Sequence, residues 1–171
     1  MLNLPIVIAP NPIFRMKASE VDRFDTELRQ YVADMFETLY AHRGLGLAAN
    51  MVGLLKQIIV IDLQTEGEKK PLVLINPLIV DASEDTQIFT EASLSFPGIE
   101  AAVQRPKTIT VSYVDEAQTD RNLTAEGFLS TVIQHEMDYL QGQTFLDHLS
   151  RLKKQTLLRK YKKLRASTAL T

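Results

Sequence analysis

Side-chain chemistry in this 171-residue chain is densest in Gln134-His135-Glu136-Met137-Asp138-Tyr139. On a helix, residues four apart share a face. Two imidazoles at that spacing grip one metal ion, and the Glu after the first handles protons for a bound water. Here the second of those positions carries Tyr139 instead of His. A lone His-Glu pair on a helix is more often a satisfied polar pair than a ligand set. Upstream, Ser93 adds a hydroxyl that a histidine base turns into a nucleophile where the two meet. Nothing around it supplies a dedicated acyl-enzyme site. The chain has no cysteine, which excludes both a disulfide scaffold and a thiolate-bound metal. The remaining histidines, His42 and His148, read as surface or satisfied polar residues.

The elements that must position these groups follow from periodicity. Between Asp25 and Arg43, Leu28, Tyr31, Val32, Met35, Phe36, Leu39 and Tyr40 recur on one face and predict a long amphipathic helix. Gly44 is expected to stop it. Lys56 to Leu63 is a β-branched apolar run and predicts a strand. Polar Gln64 to Lys70 predicts a loop or hairpin tip. A second strand is predicted over Pro71 to Val80, interrupted near Asn76-Pro77, and others at Gln87–Ser93, Thr108–Val114 and Leu123–Glu126. Phe128, Leu129, Val132, Ile133, Met137 and Leu140 then return to helical period, ending near Gly142. That order predicts an α+β fold, with short antiparallel sheets around one central helix that carries His135 and Glu136.

Composition bounds the class. Hydrophobic residues make up 45% and charged residues 23%, the profile of a folded globular chain, read here as a single domain over residues 1–171. No apolar run approaches the roughly 20 residues needed to span a bilayer. Met1 to Pro10 lacks the basic leader of a signal peptide. A cytoplasmic or organellar-matrix location is the expectation. The net charge of −2 hides an asymmetry: Leu149 to Thr171 holds no acid but eight of the 19 Lys and Arg. Leu149, Leu152, Thr156, Leu157, Tyr161 and Leu164 recur among them, predicting a basic amphipathic helix over about 150–166. It is either a solvated helix packed by its apolar stripe or a docking element for an anionic partner such as RNA.

Three ordered motifs carry a family resemblance. Gly44-Leu45-Gly46-Leu47-Ala48-Ala49-Asn50 resembles the peptide deformylase motif G-Φ-G-Φ-A-A-x-Q. Glu91-Ala92-Ser93-Leu94-Ser95, with Phe96-Pro97-Gly98-Ile99 after it, is similar to that family's E-G-C-L-S and its Pro-Gly turn. Gln134 to Tyr139 resembles Q-H-E-x-D-H. The connecting Ile75-Asn76-Pro77, Ala125-Glu126-Gly127-Phe128-Leu129 and Asp147-His148-Leu149 agree too, so the likeness runs from about Pro12 to Leu149. The resemblance implies removal of the formyl group from N-terminal formyl-methionine. It implies a divalent metal (iron, zinc or nickel) on one Cys and two His, which activates a water. It also implies a Glu that shuttles protons and an oxyanion site made by a Gln amide and the backbone N–H after the Cys.

Carried over by position, the resemblance assigns His135 as a metal ligand and Glu136 as the proton shuttle. Ser93 stands where the Cys would be and Tyr139 where the second His would be, so two of the three ligands are replaced. Asn50 replaces the oxyanion Gln; the backbone N–H of Leu94 completes that site. Ala92 replaces a Gly, and Glu100 stands where a basic residue is usual. Gly44, Gly46 and Leu47 would line a peptide-binding strand, with Val132 and Ile133 in an apolar pocket for the methionine side chain. A serine hydroxyl is a poor neutral donor. A tyrosine ligates only as phenolate, from a pKa of about 10. The leading expectation is a deformylase-like protein without ordinary metal-dependent activity and with no resident metal, which keeps a cleft for Met or formyl-Met peptides. The alternatives are a working deformylase with an altered site for one divalent metal, and a ribosome- or RNA-associated protein that docks through its basic C-terminal helix.

Overall fold

The computed structural model describes residues 3–168. Three helices are joined by seven strands: α1 (Thr26–Ala41), β1 (Gly46–Ala48), β2 (Ile58–Ile61), β3 (Leu72–Ala82), β4 (Thr86–Ala92), β5 (Glu100–Pro106), β6 (Thr108–Val114), β7 (Asp120–Glu126), α2 (Gly127–Leu140) and α3 (Arg151–Thr168). Five strands form one antiparallel sheet in the order β1-β2-β3-β6-β7, and β4 pairs with β5 in a second. The α+β expectation, with antiparallel sheets around a central helix, is what the structure shows.

The apolar run at β2 is buried on both faces, as its uninterrupted Ile-Ile-Val-Ile requires. β3 continues through Pro77, but its register with β6 shifts between Ile75 and Leu78. The cause is Asn76, at φ 51°. Its side-chain amide accepts from the Val21 N–H at 2.8 Å and donates to the Val21 carbonyl at 2.9 Å, fixing a bulge in the strand. The predicted interruption is therefore a kink within one strand.

α1 begins at Asp25, whose carboxylate accepts from the Leu28 N–H at 3.1 Å. Its end differs from expectation. Arg43, at φ 55°, takes the left-handed position. The Gly44 N–H reaches the Leu39 carbonyl at 2.8 Å and the Arg43 N–H that of Tyr40 at 3.0 Å, the paired bonds of a Schellman end. Space around Gly44 is tight instead: a Cβ there would lie 2.8 Å from Leu39 Cδ1 and 3.1 Å from Leu94 Cδ1, so those leucine ends would have to shift.

α2 is the central helix, buried from Ser130 through Glu136 and again at Tyr139 and Leu140. Its polar residues pair locally: the Gln134 amide donates to the Pro106 carbonyl at 3.0 Å and to Ser130 Oγ at 2.9 Å. α3 is held more lightly than its predicted stripe implies. Tyr161 is its one buried residue, donating its hydroxyl to the Ala9 carbonyl and packing against Phe96. Leu152 and Leu164 are exposed, because the helix touches the body along one narrow line.

Candidate active site

Three segments converge on α2. β1 is the outer strand of its sheet, and Gly46 lies against Glu136: a Cβ at Gly46 would sit 2.7 Å from Glu136 Oε1. Across from it, β4 ends at Ala92, and the Phe96 N–H bonds the Ser93 carbonyl at 3.0 Å, turning the chain with Leu94 and Ser95 at its bend. Between them runs a cleft of about 380 Å³. Residues 43–46 and Met51 form one wall, residues 90–94 the other, and Phe128, Thr131, Val132, His135 and Glu136 the floor. His135, Glu136, Ser93, Leu94, Gly44, Gly46 and Val132 thus come together from distant parts of the chain.

Ile133 and Asn50 lie outside the cleft, while Leu47 keeps its place on the outer strand β1 with its side chain turned away. Leu47 and Ile133 are wholly buried in the core, because alternation on β1 and the turn of α2 aim them inward; Leu45 and Thr131 border the cleft instead. Asn50 is also buried and sends its amide N–H to the Tyr139 carbonyl at 2.6 Å, away from the cleft. Its Oδ1 meets no partner.

Tyr139 is fully buried beneath the cleft floor, and its hydroxyl lies 2.6 Å from Ser93 Oγ. The Ser95 N–H also reaches Ser93 Oγ, at 3.2 Å. Phe14 and His135 meet the tyrosine ring edge-on. Burial pushes the Tyr139 phenol far above its ordinary pKa, so it stays a neutral hydroxyl. The Ser93–His135 nucleophile pair weighed from sequence does not form: Ser93 turns to Tyr139, and His135 turns to Glu91.

His135 stacks on Phe145 and points Nδ1 at Glu91 Oε2, 2.8 Å away. A carboxylate only accepts, so Nδ1 carries the hydrogen. Glu91 is clamped from the other side by Arg105, at 2.6 and 2.9 Å. Arg105 also donates to Asp138 at 2.9 Å, and Asp138 pairs with His148 at 2.7 Å. This chain, buried at Glu91 and Arg105 and reaching the surface at His148, was not foreseen. Burial alone would raise the Glu91 pKa, but the bonds from Arg105 and His135 outweigh it and hold the group below the usual carboxylate range. Burial would likewise lower the His135 pKa; the Glu91 bond and the nearby Glu136 charge win and raise it. Glu136, 3% exposed, has weaker counterweights in the His135 charge and a backbone hydrogen bond from Ala48. Burial lifts its pKa to about 7, and its Oε2 meets no hydrogen-bond partner.

The polypeptide deformylase family model matches residues 3–155. A peptide deformylase-like protein of Rickettsia conorii is 52% identical over 155 residues, covering 91% of this chain and 85% of the relative. The peptide deformylase of Brucella suis is 42% identical, covering 96% and 95%. The crystal structure of peptide deformylase from Ehrlichia chaffeensis in complex with actinonin superposes with a TM-score of 0.90 at 39% identity, covering 95% of this chain and 98% of that one. The chain belongs to the polypeptide deformylase family.

The divalent metal used in this family finds a poor donor set here. His135 offers one imidazole nitrogen. Ser93 and Tyr139 bond each other, and the phenol is held neutral by burial. No group of three His, Cys, Asp or Glu able to hold a metal occurs among the described residues. The side chains present do not fit the ion.

Proposed function

We propose that this chain is a deformylase-fold protein that binds the N-terminal end of peptides in its cleft without ordinary metal-dependent deformylation. The observation that carries this reading is the 2.6 Å contact between Ser93 Oγ and Tyr139 OH. It turns two would-be ligand positions into a closed hydrogen bond. The cleft beside it stays open, with an unpaired β1 edge for a peptide backbone and apolar Met51, Val132 and Phe128 for a side chain. Elemental analysis of the purified protein, with turnover of formyl-Met-Ala-Ser, tests it. The expected result is no stoichiometric iron, zinc or nickel and no formate release.

A working deformylase with an altered metal site is the second reading. Relatives of 40–45% identity that bear the name peptide deformylase favour it, as does Glu136, whose pKa near 7 suits proton transfer at neutral pH. One metal per chain together with turnover would replace the first reading with this one.

For α3, the proposal is a salt-dependent contact with an anionic surface such as the ribosome, supported by exposed Arg159, Lys160 and Lys163. Deleting the helix would also remove Tyr161 from Phe96, so charge reversal at those three residues is the cleaner test. Co-sedimentation with ribosomes should fall while the fold is kept. No helix among the described residues is long and apolar enough to cross a membrane.

A further inference from the structure

The face of the five-stranded sheet turned away from α2 is covered over only part of its width. Gly46, whose Cβ position meets Glu136 and Val132, marks the α2 side. Residues on the opposite side are Leu47 on β1, Ile58 and Val60 on β2, and Ile75 on β3, all exposed by 1% or less. α1 packs over β1 and β2 there. Strand pairing carries the same face on to β6 and β7: Ile75 pairs with Val114 and that with Asp120, and Leu78 pairs with Ser112 and that with Asn122. This further half is open. Leu78 is 61% and Val80 53% exposed, and Asp81, Asn122 and Thr124 are exposed beside them.

The open strip spans β3, β6 and β7. At about 4.8 Å between strands it is about 10 Å across, and over seven residues it is about 23 Å long. One α-helix is about 10 Å wide. Carboxylates border the strip: Asp81 on β3, and Asp120 and Glu126 at the two ends of β7. Glu126 has Lys107 at 3.7 Å. Arg121 alternates to the other face and bonds Asp115 at 2.8 Å. Asp81 and Asp120 pair with no cation among the described residues.

α3 carries the complement. Its 18 residues make a helix about 27 Å long. Leu152, Thr156, Arg159 and Lys163 share one face of it by spacing, with Lys160 beside them, and Leu152 is 74% exposed. Tyr161 pins the opposite side of α3 to Ala9 and Phe96. The cationic face therefore points away from its own body and reaches a sheet only on another molecule. We propose that the open half of the sheet is the docking site for α3 of a second copy of this chain. The contact sets Leu152 against Leu78 and Val80, and the α3 cations against Asp81 and Asp120. The two surfaces differ, so the contact is heterologous. It uses the cations assigned above to an anionic surface, and one occupant excludes the other.

Sedimentation velocity on the full-length protein over a concentration series tests the inference. At low salt the protein should associate reversibly, and high salt should weaken the association about ten-fold or more. Asp81→Lys with Asp120→Lys in one protein, and Arg159→Glu, Lys160→Glu and Lys163→Glu in another, should each leave a monomer, because like charges then face each other. An equimolar mixture of the two should associate again, since a reversed α3 meets a reversed sheet. All the substituted positions are exposed, so circular dichroism should show the fold kept. Should a reversed protein lose its fold, Leu152→Asp decides: it should weaken association about ten-fold or more, and undiminished association would overturn the inference. So would a monomer throughout at low salt, association that survives either reversal, or a mixture of folded variants that stays monomeric. Ribosome co-sedimentation reads the anionic-surface contact separately from all of these.

Discussion

Ser93 Oγ and Tyr139 OH lie 2.6 Å apart, tying the turn after β4 to the central helix at the base of the cleft. The phenol is longer than an imidazole, so at this position it passes the point where a ring nitrogen would stop and reaches the serine directly.

The pair should therefore be reversible only as a pair. Ser93→Cys with Tyr139→His supplies a thiolate and a second imidazole beside His135, and should take up one zinc or nickel ion per chain by elemental analysis. Each single change should leave the protein without stoichiometric metal. Formyl-peptide turnover in the double variant should stay below that of ordinary deformylases, because the Asn50 amide is still directed at the backbone of residue 139.

Tyr139→Phe removes the hydroxyl and keeps the ring against Phe14 and His135. The expected loss is about 1 kcal/mol in urea unfolding. In a double-mutant cycle with Ser93→Ala, the two losses should fall short of additivity.

Arg105→Ala should cost much more. It leaves Glu91 buried without its guanidinium, and breaking a buried pair from one side costs about 3–5 kcal/mol. A lowered urea midpoint, or failure to fold, is the expected outcome. Stability equal to that of the unmodified protein would mean that water reaches Glu91.

The pH dependence of stability should carry the mark of Glu136. Burial raises its folded pKa to about 7, above the value of about 4.3 in an unfolded chain. Between those values the native state holds a proton that the unfolded state has released, so stability falls as pH rises through the window. Glu136→Gln removes the penalty. It should match the unmodified protein near pH 4 and exceed it at pH 7.5, by on the order of 3–4 kcal/mol. Urea titrations at the two pH values would show it.

Much of this organisation was legible in the chain. The 3.6-residue pattern located α1 and α2, and the β-branched run located β2. β5 was missed because Glu-Ala-Ala-Val-Gln-Arg-Pro has small and charged residues where a strand usually declares itself; its partner β4 supplies the pairing. Missing β5 also hid Arg105, and with it the Glu91–Arg105–Asp138–His148 chain. The motifs brought His135, Glu136 and Ser93 to one cleft and Leu47 to its edge strand, yet the side chains of Ile133 and Asn50 turn away from it. Motif position says which segment approaches the cleft. It does not say which side of a three-residue strand, or which face of a buried helix, turns toward it.

The Ser93–Tyr139 hydrogen bond also bears on oxidative damage. A cysteine thiolate at the base of such a cleft can be driven by peroxide through sulfenic to sulfonic acid. Hydroxyls have no such ladder, and this chain has no cysteine anywhere. Met51 supplies the sulfur of the described cleft wall, and it is 1% exposed. The cleft should keep its shape through peroxide exposure that inactivates a thiolate-based site, with surface Met16, 48% exposed, oxidised ahead of Met51.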